Sequence, residues 1–303
     1  MKKLLFIFNP RSGREQIKSS LADILDIMVK NNFDVTVHTT QARGDCTEVV
    51  ADRACEFDRI IVSGGDGTLD EAVTGMMRSR IKVPIGYIPA GSTNDFGSSL
   101  GIDKDMIHAA EIAICGRPYP IDVGKLNSRN FVYVAAFGVF TEVSYQTSQD
   151  MKNMFGRAAY ILEGIKQLRD IPSYSMQVEY DGNVLYDEFI YGMVTNSKSV
   201  GGFRSIISGD VDLSDGLFEV TLIRNPRNPI EMSEILNCLT TGRRDSEMLY
   251  SFQTSEIRFK STEEVPWTTD GEFGGKASES LVKNEHKALD IMVEHDSSIS
   301  YNN

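Results

Sequence analysis

Residues 60–68 read Ile-Ile-Val-Ser-Gly-Gly-Asp-Gly-Thr, an apolar, β-branched run that stops at two glycines, an aspartate, a third glycine and a threonine. Leu69-Asp70-Glu71-Ala72-Val73 follows at once with a helical pattern. Glycines at a strand-to-helix turn remove the Cβ atoms that would keep a phosphate away from backbone N–H groups. The helix N-terminus adds positive partial charge at the same spot. Asp66 alone would repel phosphate, so it calls for a divalent cation or a protonated hydroxyl between the two. The chemistry is that of a nucleoside triphosphate held with Mg²⁺.

Two further turns have the same character. Asn9-Pro10-Arg11-Ser12-Gly13 closes the first apolar run. It lacks both the Gly-Lys-Ser/Thr ending of a Walker A loop and the G-x-G-x-x-G spacing. Arg11, Ser12 and backbone N–H groups could hold phosphate there, and an ordinary βα turn would read the same. Pro89-Ala90-Gly91-Ser92-Thr93-Asn94-Asp95-Phe96 offers a glycine turn, two hydroxyls and an Asn-Asp pair, which also suits a helix N-cap. These loops follow the first, third and fourth strands of the pattern below, and Thr39-Thr40 ends the second. All fall at the carboxyl edge, where open α/β sheets bind ligands. Independent capping accidents at three such loops are the weaker explanation.

Later in the chain, Asp210-Val211-Asp212-Leu213-Ser214-Asp215-Gly216 clusters three carboxylates. Its glycine is displaced and its twelfth position is not Glu, which excludes an EF-hand. A hard cation on one or two carboxylates plus backbone carbonyls fits, as does a hairpin turn with solvated acids. Trp267-Thr268-Thr269-Asp270-Gly271-Glu272 sets two carboxylates on either side of a glycine. Such a turn could present Glu272 or Asp270 to a hydroxyl as general base, or be only a hairpin. His38, His108, His286 and His295 show no metal spacing and no nucleophilic triad order, so none is given a role.

The elements that must position these groups alternate strand and helix at first. Strands are predicted over 4–8, 34–39, 59–62 and 84–88, and helices over 15–30, 45–55, 69–77 and 104–115. Strands apolar throughout argue for a parallel sheet covered on both faces. After Pro120 the texture becomes strand-rich, with strands over 121–126, 131–137, 175–180, 184–194, 217–224, 256–260 and 288–293 and helices over 156–168 and 229–239. The expectation is therefore an α/β protein: a parallel-sheet nucleotide-binding domain over 1–120, then a mostly antiparallel β domain over 121–303. The active site would lie in the cleft between them.

With 303 residues, 41% of them apolar and 24% charged, both domains can bury a core. A net charge of −12 argues against a nucleic-acid partner. It also means that contact with anionic lipid must come from a local basic or apolar patch. The four cysteines form no C-x-x-C pair and read as reduced thiols of a cytoplasmic protein. Lys2-Lys3 and the apolar run after it resemble a signal peptide, but the run ends at Asn9-Pro10 with no cleavage site and reads as a buried strand. No stretch approaches the roughly 18 consecutive apolar residues of a membrane span. Residues 151–170 carry an apolar stripe at helical spacing flanked by Lys and Arg, either docked on the second domain or facing lipid.

Taken in order, Asn9-Pro10-x-Ser12-Gly13, Gly64-Gly65-Asp66-Gly67-Thr68, Gly91-Ser92-Thr93-Asn94-Asp95-Phe96, Ile121-Asp122-Val123-Gly124, Asp215-Gly216 and Asp270-Gly271-Glu272 resemble the bacterial diacylglycerol kinase family. These are soluble lipid kinases related to sphingosine and ceramide kinases, and the resemblance covers nearly the whole chain. The glycine-aspartate signature alone is shared with NAD kinases and phosphofructokinases. The 91–96 element and the late Asp-Gly-Glu point to the lipid kinases.

The resemblance implies ATP-dependent phosphorylation of a lipid hydroxyl, with phosphatidic acid or an analogue as product. ATP would lie against Asn9, Pro10, Arg11, Ser12, Gly13, Thr40, Gly65, Asp66, Gly67, Thr68, Leu69, Asp70, Glu71 and Ser92. A structural Mg²⁺ would use Asp215 and the carbonyls of Asp212 and Leu217. Asp66, Asp95 and Asp122 match acids that hold or orient the catalytic Mg²⁺. Glu272 matches the proton acceptor, with Asp270 in support. Asp70 departs from the family, which usually has Asn there. The implied setting is cytoplasmic, with peripheral contact at the inner face of the membrane; a homodimer stays open. The competing readings are an NAD kinase-like phosphotransferase and an inactive nucleotide- or lipid-binding regulator.

Overall fold

The computed structural model describes residues 1–15, 17–91, 94–139, 171–197, 211–243 and 245–295. The helix expected over 156–168, the wider stripe at 151–170, and Ser92 and Asp210 lie outside them. The chain divides into two compact units, Met1–Ile121 with the residues from Lys287 onward, and Asp122–His286. The sequence suggested a single crossing near residue 120. The chain in fact crosses twice, because its last strand returns to the first unit.

In the first unit, β1 (Lys2–Phe8), β2 (Phe33–Thr39), β3 (Arg59–Gly64) and β4 (Ile85–Pro89) lie in the order β2-β1-β3-β4, each adjacent pair parallel. Leu4, Leu5, Phe6, Ile7, Ile60, Ile61 and Val62 are fully buried, since side chains pointing to both faces meet helices. Those helices are α1 (Ile17–Lys30), α2 (Asp45–Arg53), α3 (Asp66–Arg78), the short α4 (Asp95–Ser99) and α5 (Met106–Cys115). Helix α3 buries Leu69, Ala72, Val73 and Met76, an i, i+3, i+4, i+7 stripe. Asp105 starts α5 by accepting from the N–H groups of Ile107 and His108.

The second unit is antiparallel. It holds β6 (Arg129–Phe131), β7 (Val134–Gly138), β8 (Tyr174–Tyr180), β9 (Asn183–Thr195), β10 (Phe218–Arg224), β11 (Leu249–Thr254) and β12 (Glu256–Thr269). Helix α6 (Pro229–Thr241) starts at Asn228, whose side chain accepts from Ile230 and Glu231. β5 (Arg117–Leu126) enters this unit from the first, and β13 (Glu272–Val293) leaves it. Asp181-Gly182 and Asp270-Gly271 both take positive φ at two successive positions, the geometry of a tight hairpin turn. Ile291, near the end of β13, pairs parallel with Ile85 inside the first unit.

Strands β12 and β13 are far longer than the apolar pattern suggested. They carry Glu263, Glu264, Lys276, Glu279, Lys283, Glu285 and Lys287, which hide the alternation, and the ladder between them shifts register between Lys260 and Val265. The core of the second unit centres on Phe137, Phe259 and Trp267, packed edge-to-face with ring centroids 4.9–5.7 Å apart. Among the described residues no helix is long and apolar enough to cross a membrane. Phe137→Ala opens a cavity between two aromatic neighbours and is expected to cost about 3–5 kcal/mol, read from the urea midpoint.

Candidate active site

The carboxyl edge of the first unit is built by loops that continue the strand ladder. Asn9 donates its N–H to the Ser63 carbonyl at 2.9 Å, Thr40 to that of Phe8 at 3.0 Å, and Ala90 to that of Gly64 at 2.7 Å. The loops then approach backbone to backbone. A Cβ at Gly13 would lie 1.8 Å from the Ala90 carbonyl oxygen, and one at Gly91 only 2.6 Å from the Cα of Gly65. Asn94, in the left-handed region, accepts from the Gly91 N–H and donates to the Gly91 carbonyl, both at 2.9 Å. The Tyr87 hydroxyl lies 3.1 Å from the Gly64 carbonyl and 3.2 Å from Asn94 Oδ1, so its one proton is shared between them. Gly67 is different. It is exposed, has no positive φ, and nothing among the described residues lies within 4 Å of the Cβ it lacks.

Asp66 opens α3. Its carboxylate accepts from the N–H groups of Asp95, Phe96 and Asn94 at the start of α4, while Oδ1 is buried without a hydrogen-bond partner among the described residues. Burial first, and the nearby Asp95 charge second, push its pKa up to about 6 against the pull of those N–H groups. Asp95 is itself buried, as is Asp70 one turn further along α3. A buried carboxylate oxygen with no donor beside a second acid suits a hard divalent cation. On that ground the residues fit Mg²⁺.

Other expected ligand contacts have different duties. Glu71 accepts from the Gly44 N–H at 2.8 Å and the Cys46 N–H at 3.2 Å, so both its oxygens hold the start of α2. It positions the segment after Thr40 rather than facing a ligand. Asp45 in the same segment binds Gln41 N–H at 2.7 Å and His38 Nε2 at 3.1 Å. The Leu69 side chain is in the core, and the Thr68 side chain packs over Gly64. Asn9, Pro10, Arg11, Ser12, Gly13, Thr40 and Gly65 stay partly or fully exposed along the edge.

In the second unit Asp122 is fully buried and ties together three segments. Oδ2 accepts from Gly216 N–H at 2.6 Å and Asn284 Nδ2 at 3.2 Å, and Oδ1 lies 3.0 Å from His286 Nδ1. Its backbone N–H reaches the Leu213 carbonyl at 2.8 Å. Asp122 thus fixes the 211–217 loop, in which Asp212 and Asp215 are exposed and Leu217 is partly so. Asp212 Oδ1 accepts from Ser214 N–H and Asp215 Oδ1 from Leu217 N–H, each an Asx turn. Among the described residues no three His, Cys, Asp or Glu side chains converge as metal ligands. A cation at this loop would therefore rest mainly on backbone carbonyls with one carboxylate.

The turn between β12 and β13 separates its two acids by function. Asp270 is buried and accepts from the N–H groups of Val132 at 2.6 Å, Tyr133 at 3.1 Å and Val134 at 2.9 Å. Its carboxylate is committed to backbone, so it is a positioning group and not a proton acceptor. Glu272 is partly exposed, and its Oε2 lies 3.0 Å from Arg129 Nη2. Arg129 Nη1 also donates to the Phe273 carbonyl at 2.9 Å. Sequence reasoning missed Arg129, Asn284 and His286, because each finds its partner across a hairpin or a distant strand.

Comparison with known proteins agrees with this layout. Residues 3–126 match the model of the diacylglycerol kinase catalytic domain, and residues 134–293 that of the YegS C-terminal NAD kinase beta sandwich-like domain. A diacylglycerol kinase of Staphylococcus carnosus is 34% identical over 279 residues, 91% of this chain and 90% of that protein. One from Bacillus subtilis is also 34% identical and covers 91% of each. A solved Bacillus anthracis structure assigned as a diacylglycerol kinase superposes with a TM-score of 0.82 at 25% identity, covering 97% of both chains. The architecture is α/β with a C-terminal β-sandwich-like domain.

The raised pKa of Asp66 has a stability signature. Between the unfolded value near 3.9 and about 6, the folded state holds the extra proton, so stability falls as pH rises through that window. Asp66→Asn removes the penalty. In metal-free and nucleotide-free protein it is expected to unfold at higher urea than wild type at pH 7.5, by the order of 1–3 kcal/mol. The gap should close at pH 4.

Proposed function

This chain belongs to the diacylglycerol kinase family and is a lipid kinase, and from that premise we propose that it transfers the γ-phosphate of Mg·ATP to the hydroxyl of diacylglycerol or a related lipid alcohol. The observation that carries the nucleotide assignment is the edge built by Gly13, Gly65 and Gly91, with the unpartnered Asp66 oxygen set into it. N–H groups at the start of a helix have no acceptor within it and are free for phosphate oxygens. Gly67 gives those groups an approach that no side chain blocks. Asn9, Arg11 and Ser12 would flank the phosphates from the neighbouring loop, with Thr40 at the rim.

Asp66, supported by Asp95, would hold the catalytic Mg²⁺, and Asp215 with the carbonyls of Asp212 and Leu217 a structural one. Bound there, the catalytic ion supplies charge neutralisation for the β- and γ-phosphates. The protein supplies position and a proton acceptor. Glu272 takes the proton of the acceptor hydroxyl as the hydroxyl oxygen attacks the γ-phosphorus, the bond to the β–γ bridging oxygen breaks and ADP leaves, and Asp270 keeps the turn that carries Glu272 in register. Phosphoryl transfer requires little more of the side chains. The acceptor lies in a bilayer, so the protein works in the cytoplasm with peripheral contact at the membrane surface.

The test supplies labelled ATP with Mg²⁺ and either diacylglycerol in mixed micelles or NAD. Labelled phosphatidic acid is expected, and label moving to NAD instead overturns the acceptor assignment. Glu272→Gln is expected to lower kcat by about 10²- to 10⁴-fold at unchanged Tm. Gly67→Ala should raise the KM for ATP severalfold with the melting curve intact, since nothing among the described residues lies within 4 Å of the added Cβ.

A further inference from the structure

Arg129 lies outside every motif that marks this family in the sequence, yet its side chain contacts the proton acceptor. The segment that carries it grips the acceptor turn at two points. Val132, Tyr133 and Val134 give their N–H groups to Asp270, at the start of the turn. Arg129 reaches the other end, with Nη2 on Glu272 Oε2 at 3.0 Å and Nη1 on the Phe273 carbonyl at 2.9 Å. The two faces of one guanidinium fork thus hold the carboxylate and the backbone that bears it. The platform beneath is fixed in turn, because Asn127 donates its N–H to the Leu281 carbonyl and accepts from the Leu281 N–H on β13.

From this geometry we infer that Arg129 is a positioning residue for the reaction, orienting the Glu272 carboxylate toward the acceptor hydroxyl. The inference rests on the reading of Glu272 as proton acceptor. A free glutamate at a hairpin tip has three rotatable bonds, and a general base works only within hydrogen-bond reach of its proton. The fork removes much of that freedom by engaging Oε2 and so sets the direction in which the carboxylate faces. Both partners are about one-third exposed, at 37% for Arg129 and 32% for Glu272, so the pair contributes little to stability. What it contributes is direction. Lysine could not reproduce this, since its single ammonium lacks the planar two-point fork.

A double-mutant cycle on the full-length kinase separates this role from others. Arg129→Gln is expected to lower kcat roughly ten- to a hundredfold, as for the loss of one charge-assisted hydrogen bond. KM for ATP and for lipid should stay within about twofold, and Tm should not move. Arg129→Lys should recover only part of the loss. In a Glu272→Gln background, Arg129→Gln should cost nothing further, because a residue that acts through Glu272 has nothing left to orient. Full additivity of the two losses, or a loss confined to KM, overturns the inference and makes Arg129 an independent substrate contact. If Glu272→Gln keeps wild-type kcat, the reading of Glu272 itself fails, whatever Arg129 does. A drop in Tm for Arg129→Gln with kcat restored at lower temperature reduces Arg129 to a structural brace.

Discussion

A carboxylate taken out of water must find N–H groups or a cation to replace the hydration it loses. This acidic chain meets that constraint by turning its acids onto the backbone of other segments. Asp66 holds the start of α4, Glu71 the start of α2, Asp122 the Gly216 N–H, and Asp270 three successive N–H groups leading into β7. Each tie fixes the path of a turn or of a helix start. Without them the glycine-rich loops would have no fixed path, since glycine itself supplies freedom rather than order.

The same device explains why neighbouring acids divide their labour. Within Asp270-Gly271-Glu272, one acid is bound into the structure and the other is left nearer the surface. Glu71 and Asp270 accept from backbone on both oxygens. Asp66 stands between the two cases, because it is anchored by α4 yet keeps one oxygen without a partner. An acid held in this way is poised and also under strain, which is the usual relation between a functional group and the stability of the fold that carries it.

Much of the edge in the first unit was legible in the sequence, because glycine, proline and threonine punctuate apolar strands there and the spacing alone orders the loops. The two tight hairpins were legible for the same reason. Duties of individual acids were not. Nothing in the type or neighbours of Glu71 tells whether it faces a ligand or caps a helix 25 residues away. Arg129 meets Glu272 across 143 residues, and Asn284 meets Asp122 across 162. Periodicity carries no information over such separations. The long strands β12 and β13 escaped as well, since charged side chains on both faces erase the alternation on which strand recognition depends.

The return of β13 to the first unit sets an order of assembly on the ribosome. The strands β1 to β4 are translated first, but their sheet lacks the Ile291 partner of Ile85 until the end of β13 has emerged. At about 5–20 residues per second, that delay is on the order of ten seconds. The second unit, contiguous in sequence, has all its strands before then. The unit whose strands come first in the sequence is therefore the one completed last, after the contiguous second unit has been made.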